Sequence, residues 1–298
     1  MNFTHLAAFF SVAETGSVTA ASERLHVSQP ALTREIRELE ERVGVPLFDR
    51  LPRGMQPTEA GRLLAEYAAQ IFSLADAAET AIGEFAGLTR GHLGLASSRT
   101  IGVYLLPPVL DEFRRLYPGI TVDLAVSNTE HVEETVLAHE RQLGLIEGPY
   151  DASVFDAAVI GRDELIAVAG VGHPLTRKRR VSAAEVGHAE LVMREPGSGT
   201  RTVIEDAYAR HGYELSPKLS VGSAEAIKRM LRLGNAVAWV SRQTVADELA
   251  TGVLVQLRVH DLKIERDLNM IWRKARALSP SARAFRTLAD QMFERVLV

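Results

Sequence analysis

Residues 16–39 read GSVTAASERLHVSQPALTREIREL and hold two helix beginnings separated by a short connection. Gly16 ends a preceding segment with an apolar stripe. Ser17 is placed to cap the next helix, because a serine hydroxyl accepts a free N–H of the first turn. Ser28 is placed to cap a further helix, with Pro30 in its first turn, where a missing N–H costs little. Two helices joined this tightly predict a helix-turn-helix unit.

The second helix of this unit carries polar side chains in its first turns. In helix-turn-helix proteins that end of the second helix enters the major groove of DNA. Glutamine can pair with adenine and arginine with guanine, whereas an arginine one turn further along meets phosphate. The alternative is a small helical subdomain with ordinary surface arginines. We expect a helix-turn-helix at about 18–37 whose DNA contacts are Ser28, Gln29, Pro30, Thr33, Arg34 and Arg37.

The stretch that follows, DRLPRGMQP at 49–57, cannot continue a helix because proline and glycine interrupt it. It predicts a hairpin or an extended loop that places Arg50 and Arg53 as a wing beside the duplex. The net charge gives no support, since the chain carries −4 and residues 1–58 hold six arginines against seven acidic residues. DNA binding must therefore depend on where individual arginines point.

From Thr58 to about Leu88 the chain has no proline and its pattern predicts one long helix. Apolar residues recur at alternating spacings of three and four, which is the period of a coiled-coil seam and implies a partner helix. The alternative is a single amphipathic helix that lies on its own core. The predicted dimerisation seam consists of Leu64, Tyr67, Ile71, Leu74, Ala78, Ala81 and Phe85.

The composition is that of a folded globular protein, with 298 residues, 46% hydrophobic and 24% charged. This length predicts two or three domains. The sequence has no cysteine, which excludes disulfides and thiolate chemistry and fits a reducing cytoplasm. Residues 1–10 lack a basic region and a small-residue cleavage site, and no apolar run approaches the roughly 18 residues of a membrane span. We expect a cytoplasmic protein without a membrane partner.

Beyond Gly91 strand-like segments alternate with helical patterns. Such alternation implies doubly wound, mostly parallel sheets, in which ligands bind beyond the carboxyl ends of the strands. About 200 residues suffice for one large lobe or two smaller ones. Strands are predicted at 92–96, 120–126, 142–146, 165–171, 190–193, 218–221, 236–240, 254–259 and 268–272, and helices include 106–117, 201–210, 224–233 and 281–296.

Three polar stretches follow predicted strands of this α/β region, namely SSRTIG at 97–102, SNT at 127–129 and EPGSGTR at 195–201. Hydroxyls and free N–H groups at helix beginnings suit an anion, and glycines let the backbone approach a ligand closely. The alternative for each stretch is a helix cap or a flexible turn. We expect a shared effector cleft lined by Ser97, Ser98, Thr100, Asn128, Thr129, Glu147, Ser198, Gly199 and Thr200.

Glu147 restricts what this cleft can hold. A carboxylate there would repel a simple dianion and would suit a ligand that carries an amine as well as an acid. We therefore expect a small carboxylate or zwitterion, held at two helix N-termini with its cationic end near Glu147. The alternative is that Glu147 pairs with Arg99 or Arg201 and does not meet the ligand.

Six stretches of the first 90 residues resemble the N-terminal part of LysR-type transcriptional regulators. They are LAAF at 6–9, GSVTAAS at 16–22, VSQPALT at 27–33, IRELE at 36–40, LFDR at 47–50 and TEAG at 58–61. Segments 100–107 and 194–201 further resemble a branch of this family that includes regulators of cysteine and sulfur metabolism and of carbon fixation. Members of that branch respond to small anionic metabolites.

The resemblance implies a winged helix-turn-helix at 1–58, a linker and dimerisation helix at 59–90 and an effector-binding domain at 91–298. The fold it implies for that domain is two-lobed and periplasmic-binding-protein-like. Crossovers near Arg162 and near 260–266 would give one lobe at about 91–161 and 266–298 and the other at about 162–265. The partners it implies are a second copy of the chain in a homodimer or homotetramer, double-stranded DNA at promoter half-sites, a small-molecule effector and RNA polymerase.

Two other functional classes are compatible with parts of the sequence. An enzyme on an α/β scaffold would need a reactive constellation, but the sequence has no GxSxG, P-loop or HExxH motif, and its nine histidines lack metal-ligand spacing. A solute-binding protein would fit residues 91–298 alone but leaves the first 90 residues unexplained. We therefore expect a ligand-responsive transcription factor that is not an enzyme and holds no catalytic residue, cofactor or metal.

Overall fold

The computed structural model describes residues 2–51, 54–84, 88 and 90–296. The chain divides into two units, Met1–Glu79 and Thr80–Val298. The first unit contains helices α1 (Phe3–Thr15), α2 (Val18–Leu25) and α3 (Gln29–Val43), strands β1 (Phe48–Leu51) and β2 (Gly54–Pro57), and most of α4 (Glu59–Glu84).

Side-chain caps determine where the first helices begin. The Ser17 hydroxyl accepts a hydrogen bond from Ala20 N–H, and the Ser28 hydroxyl accepts one from Ala31 N–H, each at 3.4 Å. Gly16 ends α1 in the left-handed conformation, with φ at 65°. Because these caps are local, both helices of the unit predicted at about 18–37 begin where the sequence places them, and the second continues beyond 37 to Val43.

The helices and the hairpin of the first unit bury one apolar core. Strands β1 and β2 pair antiparallel, which confirms the hairpin predicted within 49–57. The hairpin docks on the turn after α1, where Met55 N–H donates to the Gly16 carbonyl at 3.1 Å. A Cβ at Gly54 would lie 2.7 Å from that same oxygen, so this close approach requires glycine. The core residues are Leu6, Ala8, Phe9, Val12, Ala21, Leu32, Ile36, Leu39, Leu47, Phe48 and Ala68.

The predicted seam residues of α4 lie in two different environments, some against the core of the first unit and some exposed to solvent. Ala68 is fully buried, and Leu64 and Ile71 pack partly buried against the core of the first unit. Tyr67 and Leu74 are 58% and 48% exposed. Leu64 and Ile71 thus follow the single-helix alternative, while Tyr67 and Leu74 keep an apolar surface free for a partner helix.

The C-terminal part of the seam is less fully described. Ala78 is exposed, whereas the side chain of Ala81 and all of Phe85 lie outside the described residues. Two apolar residues that were not in the predicted seam, Leu63 and Ile82, are 56% and 73% exposed. Pairing of this helix with a second copy stays a prediction.

The second unit alternates strands and helices as its sequence pattern predicts. The strands are β3 (Gly91–Ser98), β4 (Ile120–Ser127), β5 (Leu143–Glu147), β6 (Phe155–Gly170), β7 (Val192–Arg194), β8 (Leu219–Val221), β9 (Val237–Ser241), β10 (Leu254–Gln256) and β11 (Ile264–Arg273). The helices are a π-helical turn (Ile101–Leu105), α5 (Leu106–Leu116), α6 (Thr129–Leu137), α7 (Ala183–His188), α8 (Gly199–Arg210), α9 (Ala224–Leu231), α10 (Ala246–Ala250) and α11 (Pro280–Val296), with 3-10 turns at Pro174–Arg177 and Arg242–Val245.

The main sheet is mixed, so the expectation of mostly parallel sheets is wrong. Strand β3 lies parallel to β4 and β5, but β11 is antiparallel to β5 and β6, and β6 is antiparallel to β9 and β10. Strands β7 and β8 form a separate parallel pair. The antiparallel character comes from β6 and β11, which are long neighbouring strands that run in opposite directions. Strand β6 begins at Phe155, ten residues before the strand predicted at 165–171.

Each half of the second unit has apolar clusters of its own, which makes the unit two-lobed, as predicted. Ile160 of β6 and Met270 of β11 lie in a core with α5 and α11, whereas Leu165 and Ile264 of the same strands lie in a core with α7 and α8. Strands β6 and β11 therefore pass from one lobe to the other. Within the described ranges, no helix combines the length and the apolar character that a membrane crossing requires.

Candidate functional site

The polar face of α3 is free of the protein core. Ser28, Gln29, Pro30, Thr33, Arg34 and Arg37 are all exposed, as a DNA-reading helix requires. Ser28 is committed to its cap, and the Thr33 hydroxyl donates to the Gln29 carbonyl at 2.8 Å. Exposure therefore leaves the side chains of Gln29, Arg34 and Arg37 as the principal groups that can reach a base edge or a phosphate.

The two arginines of this face differ in their surroundings. Arg34 is 69% exposed, with nitrogen atoms 3.6 Å from carboxylate oxygens of both Glu35 and Glu38. Arg37 has no hydrogen bond or ion pair within the described ranges, and it lines a groove of about 380 Å³ together with Thr33 and the hairpin residue Met55. The two ion pairs of Arg34 are long and exposed, so they are weak and yield readily to a phosphate or a base.

Two acidic residues of the first unit, Glu14 and Glu40, have structural partners away from Arg34, which helps a segment of formal charge −1 to present arginines. Glu40 accepts the backbone N–H groups of Leu47 and Phe48 at 2.7 and 3.3 Å, so it ties α3 to the hairpin. Glu14 pairs with Arg24 at 2.5 Å. These two carboxylates are already engaged within the fold, so they are less available to pair with the arginines of α3.

The wing contacts stay a prediction. Arg50 lies in β1, opposite Met55 in the hairpin register, but its side chain is not among those described. Arg53 lies outside the described residues. Only the backbone of the hairpin supports a wing at this position.

A buried ionic cluster joins the two crossing strands of the second unit. The Arg266 guanidinium donates to Asp163 Oδ2 at 2.8 and 2.7 Å and to Thr200 Oγ1 at 2.7 Å. Its Nη2 atom lies 3.9 Å from Glu147 Oε1. The Ser241 hydroxyl donates to Asp163 Oδ1 at 2.8 Å. One buried cation thus faces two buried carboxylates, and the formal charge of the cluster is −1.

Glu147 meets neither of the two partners that the sequence suggested. Arg99 pairs with Glu195, and Arg201 pairs with Glu205, so the alternative that Glu147 pairs with one of them is wrong. Glu147 instead accepts a hydrogen bond from Thr129 Oγ1 at 3.5 Å on one oxygen. Its other oxygen, Oε1, is buried without a hydrogen-bond partner in the described part of the chain.

The second and third polar stretches lie in direct contact. Gly199 N–H donates to Thr129 Oγ1 at 3.1 Å, and Asn128 Nδ2 donates to the Pro196 carbonyl at 3.5 Å. A Cβ at Gly199 would lie 2.2 Å from the Glu147 carbonyl, so only glycine allows α8 to begin here. Asn128 also caps α6. The helix-cap alternative therefore holds for Asn128, and the cap lies at the predicted cleft position.

The first polar stretch lies at the same edge of the sheet. In the parallel register Ser98 of β3 is opposite Ser127 of β4, and Ser97 is opposite Leu145 of β5. Ser97, Ser98 and Thr100 are all buried. The Ser98 hydroxyl, like Glu147 Oε1, is a buried polar atom without a hydrogen-bond partner among the described residues. Such atoms need a partner, and a bound ligand or water supplies one.

Two further contacts close the gap between the lobes and were not predicted. Arg99 Nη1 lies 2.5 Å from Glu195 Oε1, and the Tyr104 hydroxyl donates to Glu225 Oε1 at 2.7 Å. Burial, and then the hydrogen bond to Glu225, raise the pKa of Tyr104 to about 12. Burial raises the pKa of Glu195, but hydrogen bonding and charge from Arg194, with Arg99, outweigh it, so this pKa lies below its usual value.

Sequence reasoning missed Arg266 although a signal was present. Burial alternates along the start of β11, with Ile264, Arg266 and Leu268 inward and Glu265 and Asp267 outward. A charged residue in the inward phase of a strand is unusual unless it is paired. The signal was a charge at an apolar position of the alternation.

Comparison with known proteins gives two family matches that together span most of the chain. Residues 3–62 match the family described as bacterial regulatory helix-turn-helix protein, lysR family. Residues 86–294 match the LysR substrate binding domain. The chain is 32% identical over 286 residues to the RuBisCO operon transcriptional regulator of Allochromatium vinosum, a match covering 96% of this chain and 94% of the relative. This match fits the resemblance to carbon-fixation regulators.

Solved structures agree in fold. Full-length CbnR complexed with its target DNA superposes with a TM-score of 0.71 at 24% identity, covering 98% of this chain and 99% of that one. The regulatory domain of Synechocystis CcmR in complex with 2-PG has a TM-score of 0.63 at 28% identity, covering 69% of this chain and 98% of that domain. With a helix-turn-helix that exposes its polar face and a two-lobed α/β domain that follows it in the sequence, the chain belongs to the LysR family of DNA-binding transcriptional regulators.

Proposed function

We propose that this regulator senses a small zwitterionic or anionic metabolite in the cleft between its two α/β lobes. The observation that carries the proposal is a pair of buried polar atoms, Ser98 Oγ and Glu147 Oε1, that lie at one edge of the sheet and have no hydrogen-bond partner among the described residues. Ser98 can donate to an acid group, whereas Glu147 can only accept. A ligand that presents a carboxylate and an ammonium group satisfies both atoms at once.

The charge of the buried cluster favours the zwitterion. Glu147 and Asp163 share one cation, Arg266, so an ammonium group beside Glu147 Oε1 restores neutrality. The acid end is expected against Ser97, Ser98 and Thr100. The CcmR regulatory domain, solved with 2-PG, is the related domain that supports a small-molecule occupant for this kind of cleft.

Effector binding is expected to act as a population shift. A ligand that touches both lobes binds one arrangement of the lobes better and stabilises it, and DNA binding changes by the same coupling. Pairing through the exposed residues of α4, in a homodimer or homotetramer, would let two weak DNA-reading heads act together and raise the effective affinity. A cytoplasmic location and contact with RNA polymerase belong to the same proposal.

The effector is best found by a thermal-shift screen of the purified full-length protein. The screen covers small carboxylates, amino-acid derivatives, sulfate, sugar phosphates and 2-PG. A ligand that binds only the folded state raises the melting temperature by mass action. The result expected is a hit among compounds with an amine and an acid, and hits confined to simple dianions would overturn the zwitterion assignment.

Titration calorimetry with the identified compound then tests the role of Glu147. The Glu147→Gln variant removes the negative charge at constant shape and should weaken binding about tenfold, as for a lost charge-assisted hydrogen bond. Glu134→Gln, a change of an exposed carboxylate on α6, serves as the matched control. Unchanged affinity in Glu147→Gln would remove this residue from the ligand site.

A further inference from the structure

His5 of α1 and the carboxylates of Glu35 and Glu38 of α3 converge in the first unit. His5 Nε2 lies 3.1 Å from Glu35 Oε2 and 3.3 Å from Glu38 Oε2. The three ligand-type atoms all lie within 4.8 Å of one another. The His5 side chain is only 12% exposed and that of Glu38 is 48% exposed, so the cluster opens to solvent on one side.

The polar groups of this cluster do not satisfy one another. A carboxylate only accepts hydrogen bonds, and Nε2 carries at most one proton, which can point at one of the two oxygens. His5 Nδ1 is buried without a hydrogen-bond partner in the described part of the chain, so the ring interacts with polar groups through Nε2 alone. A metal ion at this point, in contrast, could be bound by all three atoms at once.

The spacing suits a tetrahedral metal ion. Zinc binds imidazole nitrogen and carboxylate oxygen at about 2.0–2.2 Å, and two ligands of a tetrahedron then lie about 3.3–3.5 Å apart. The two measured separations from Nε2 are close to this edge length. One histidine and two carboxylates, with water at the open position, form a ligand set typical of zinc and related divalent transition metals.

We propose that His5, Glu35 and Glu38 form a binding site for one divalent transition metal ion of the Zn²⁺ class. The site lies beside the DNA-reading face, because Glu35 and Glu38 also hold Arg34 through their other oxygens, each 3.6 Å from a guanidinium nitrogen. A metal ion bound to the two Oε2 atoms offsets the negative charge of both carboxylates. Their ion pairs with Arg34 therefore become weaker. It also changes the formal charge of residues 1–58 from −1 to +1. Bound metal therefore strengthens DNA binding.

The direct test is Co²⁺ titration of the metal-free full-length protein, followed by visible absorption. Tetrahedral Co²⁺ gives absorption bands that octahedral, solvent-bound Co²⁺ lacks, and Zn²⁺ should abolish them by competition. The wild type is expected to take up one equivalent. His5→Gln and Glu38→Gln should lose the bands, whereas Glu41→Gln, an exposed acid of the same helix, should keep them.

Two outcomes overturn the metal site. If the wild type shows only the octahedral spectrum, the cluster does not bind the metal ion. If His5→Gln retains the tetrahedral bands, the ion lies elsewhere. Because Glu38 is half exposed, Glu38→Gln is expected to fold normally, and its circular dichroism and melting temperature confirm that a lost band reflects a lost ligand.

The link to DNA is tested by gel shift with and without Zn²⁺, after metal removal with a chelator. Releasing Arg34 from two weak surface pairs should tighten binding by about threefold to tenfold. This gain should vanish in Glu38→Gln and persist in Glu41→Gln. Equal affinity with and without Zn²⁺ in a protein that binds Co²⁺ at this cluster would overturn the link to Arg34.

Discussion

Charged side chains play opposite parts in the two units of this regulator. On α3 the arginines at 34 and 37 are exposed, and their nearest carboxylates lie at the limit of an ion pair or beyond it. In the effector-binding unit Arg266 is 4% exposed and makes three hydrogen bonds of 2.7–2.8 Å. Exposed charges remain available to a partner, whereas a buried charge that is hydrogen-bonded as Arg266 is belongs to the fold and tolerates little change.

The largest expected effect comes from removing the buried cation. Arg266→Met leaves the Asp163 and Glu147 carboxylates buried without their partner, which should cost about 3–5 kcal/mol of unfolding free energy. Arg162→Met, which removes an 83% exposed arginine paired with Asp267, should cost less than about 1 kcal/mol. Denaturant unfolding of both variants measures the difference. Equal losses would remove the distinction between the two kinds of charge.

The next effect is steric. In Gly199→Ala the new Cβ would lie 2.2 Å from the Glu147 carbonyl oxygen and 2.7 Å from Thr129 Oγ1, so the backbone must move. We expect a loss of about 1–3 kcal/mol and weaker effector binding. Gly172→Ala meets nothing within 4 Å and should be neutral in the same unfolding experiment. A stable Gly199→Ala variant with normal effector affinity would contradict the described contact.

A smaller effect tests Glu40, a carboxylate of the DNA-binding unit that ties the hairpin to α3. Glu40→Ala leaves the N–H groups of Leu47 and Phe48 without their acceptor, and we expect a loss of about 1–2 kcal/mol. Glu41→Ala, a change of the exposed neighbour, should leave stability within about 0.5 kcal/mol. Thermal unfolding distinguishes them. If Glu40→Ala leaves the stability unchanged, Glu40 does not hold the hairpin in place. Its negative charge is then free to offset the arginines of α3.

The smallest effect depends on pH. Burial, and then the charges of Asp151 and Glu130, raise the pKa of Glu133 to about 7 from its ordinary 4.5. Because the folded-state pKa is raised, the contribution of Glu133 to stability is fully present below about pH 4.5 and is lost as the pH rises through about 7. Glu133→Gln should therefore gain about 1 kcal/mol over wild type at pH 8 and nothing at pH 4.5, after allowance for solvent screening.

Unfolding free energies of Glu133→Gln and wild type at the two pH values check this sign. Glu134→Gln, a change of an exposed carboxylate on the same helix, provides the control. A Glu133→Gln variant that is equally stabilised at both pH values would show that the effect is not one of titration.

The difference between the units also explains what the sequence could predict. The helix bounds near Ser17 and Ser28 depend on contacts three residues apart, so the sequence predicts them almost residue by residue. The exposed reading face follows from the same short-range pattern. The family resemblance, which lies mostly in these first residues, implied the two-lobed domain that the structure contains.

The cleft depends on long-range register, and the sequence predicted it only in part. Arg266 and Asp163 are direct neighbours in the antiparallel pairing of β6 and β11. The predicted strands began only at 165 and 268, so this pairing could not be inferred from the sequence. Without that register, the partner of Glu147 was sought among the arginines of the predicted cleft stretches, Arg99 and Arg201. The polar stretches at 97–102, 127–129 and 195–201 were recognised because each follows a strand, which is a local signal.

The cluster of His5, Glu35 and Glu38 shows the same limit in the first unit. Glu35 and Glu38 lie three apart on one helix face, but His5 comes from a different helix, 30 residues earlier in the sequence. No spacing rule for metal ligands spans that gap. Only the packing of α1 on α3 brings the three side chains together.

Nuclease footprinting on the DNA that flanks this gene tests the central claim most directly, namely that the exposed face of α3 reads DNA. The wild type should protect two half-sites in a salt-sensitive manner, and Arg34→Ala should weaken binding by about 1–3 kcal/mol, or roughly fivefold to 150-fold. Arg24→Ala, which removes an arginine paired with Glu14, should protect like wild type. Protection without sequence preference, or protection unchanged in Arg34→Ala, would contradict the account.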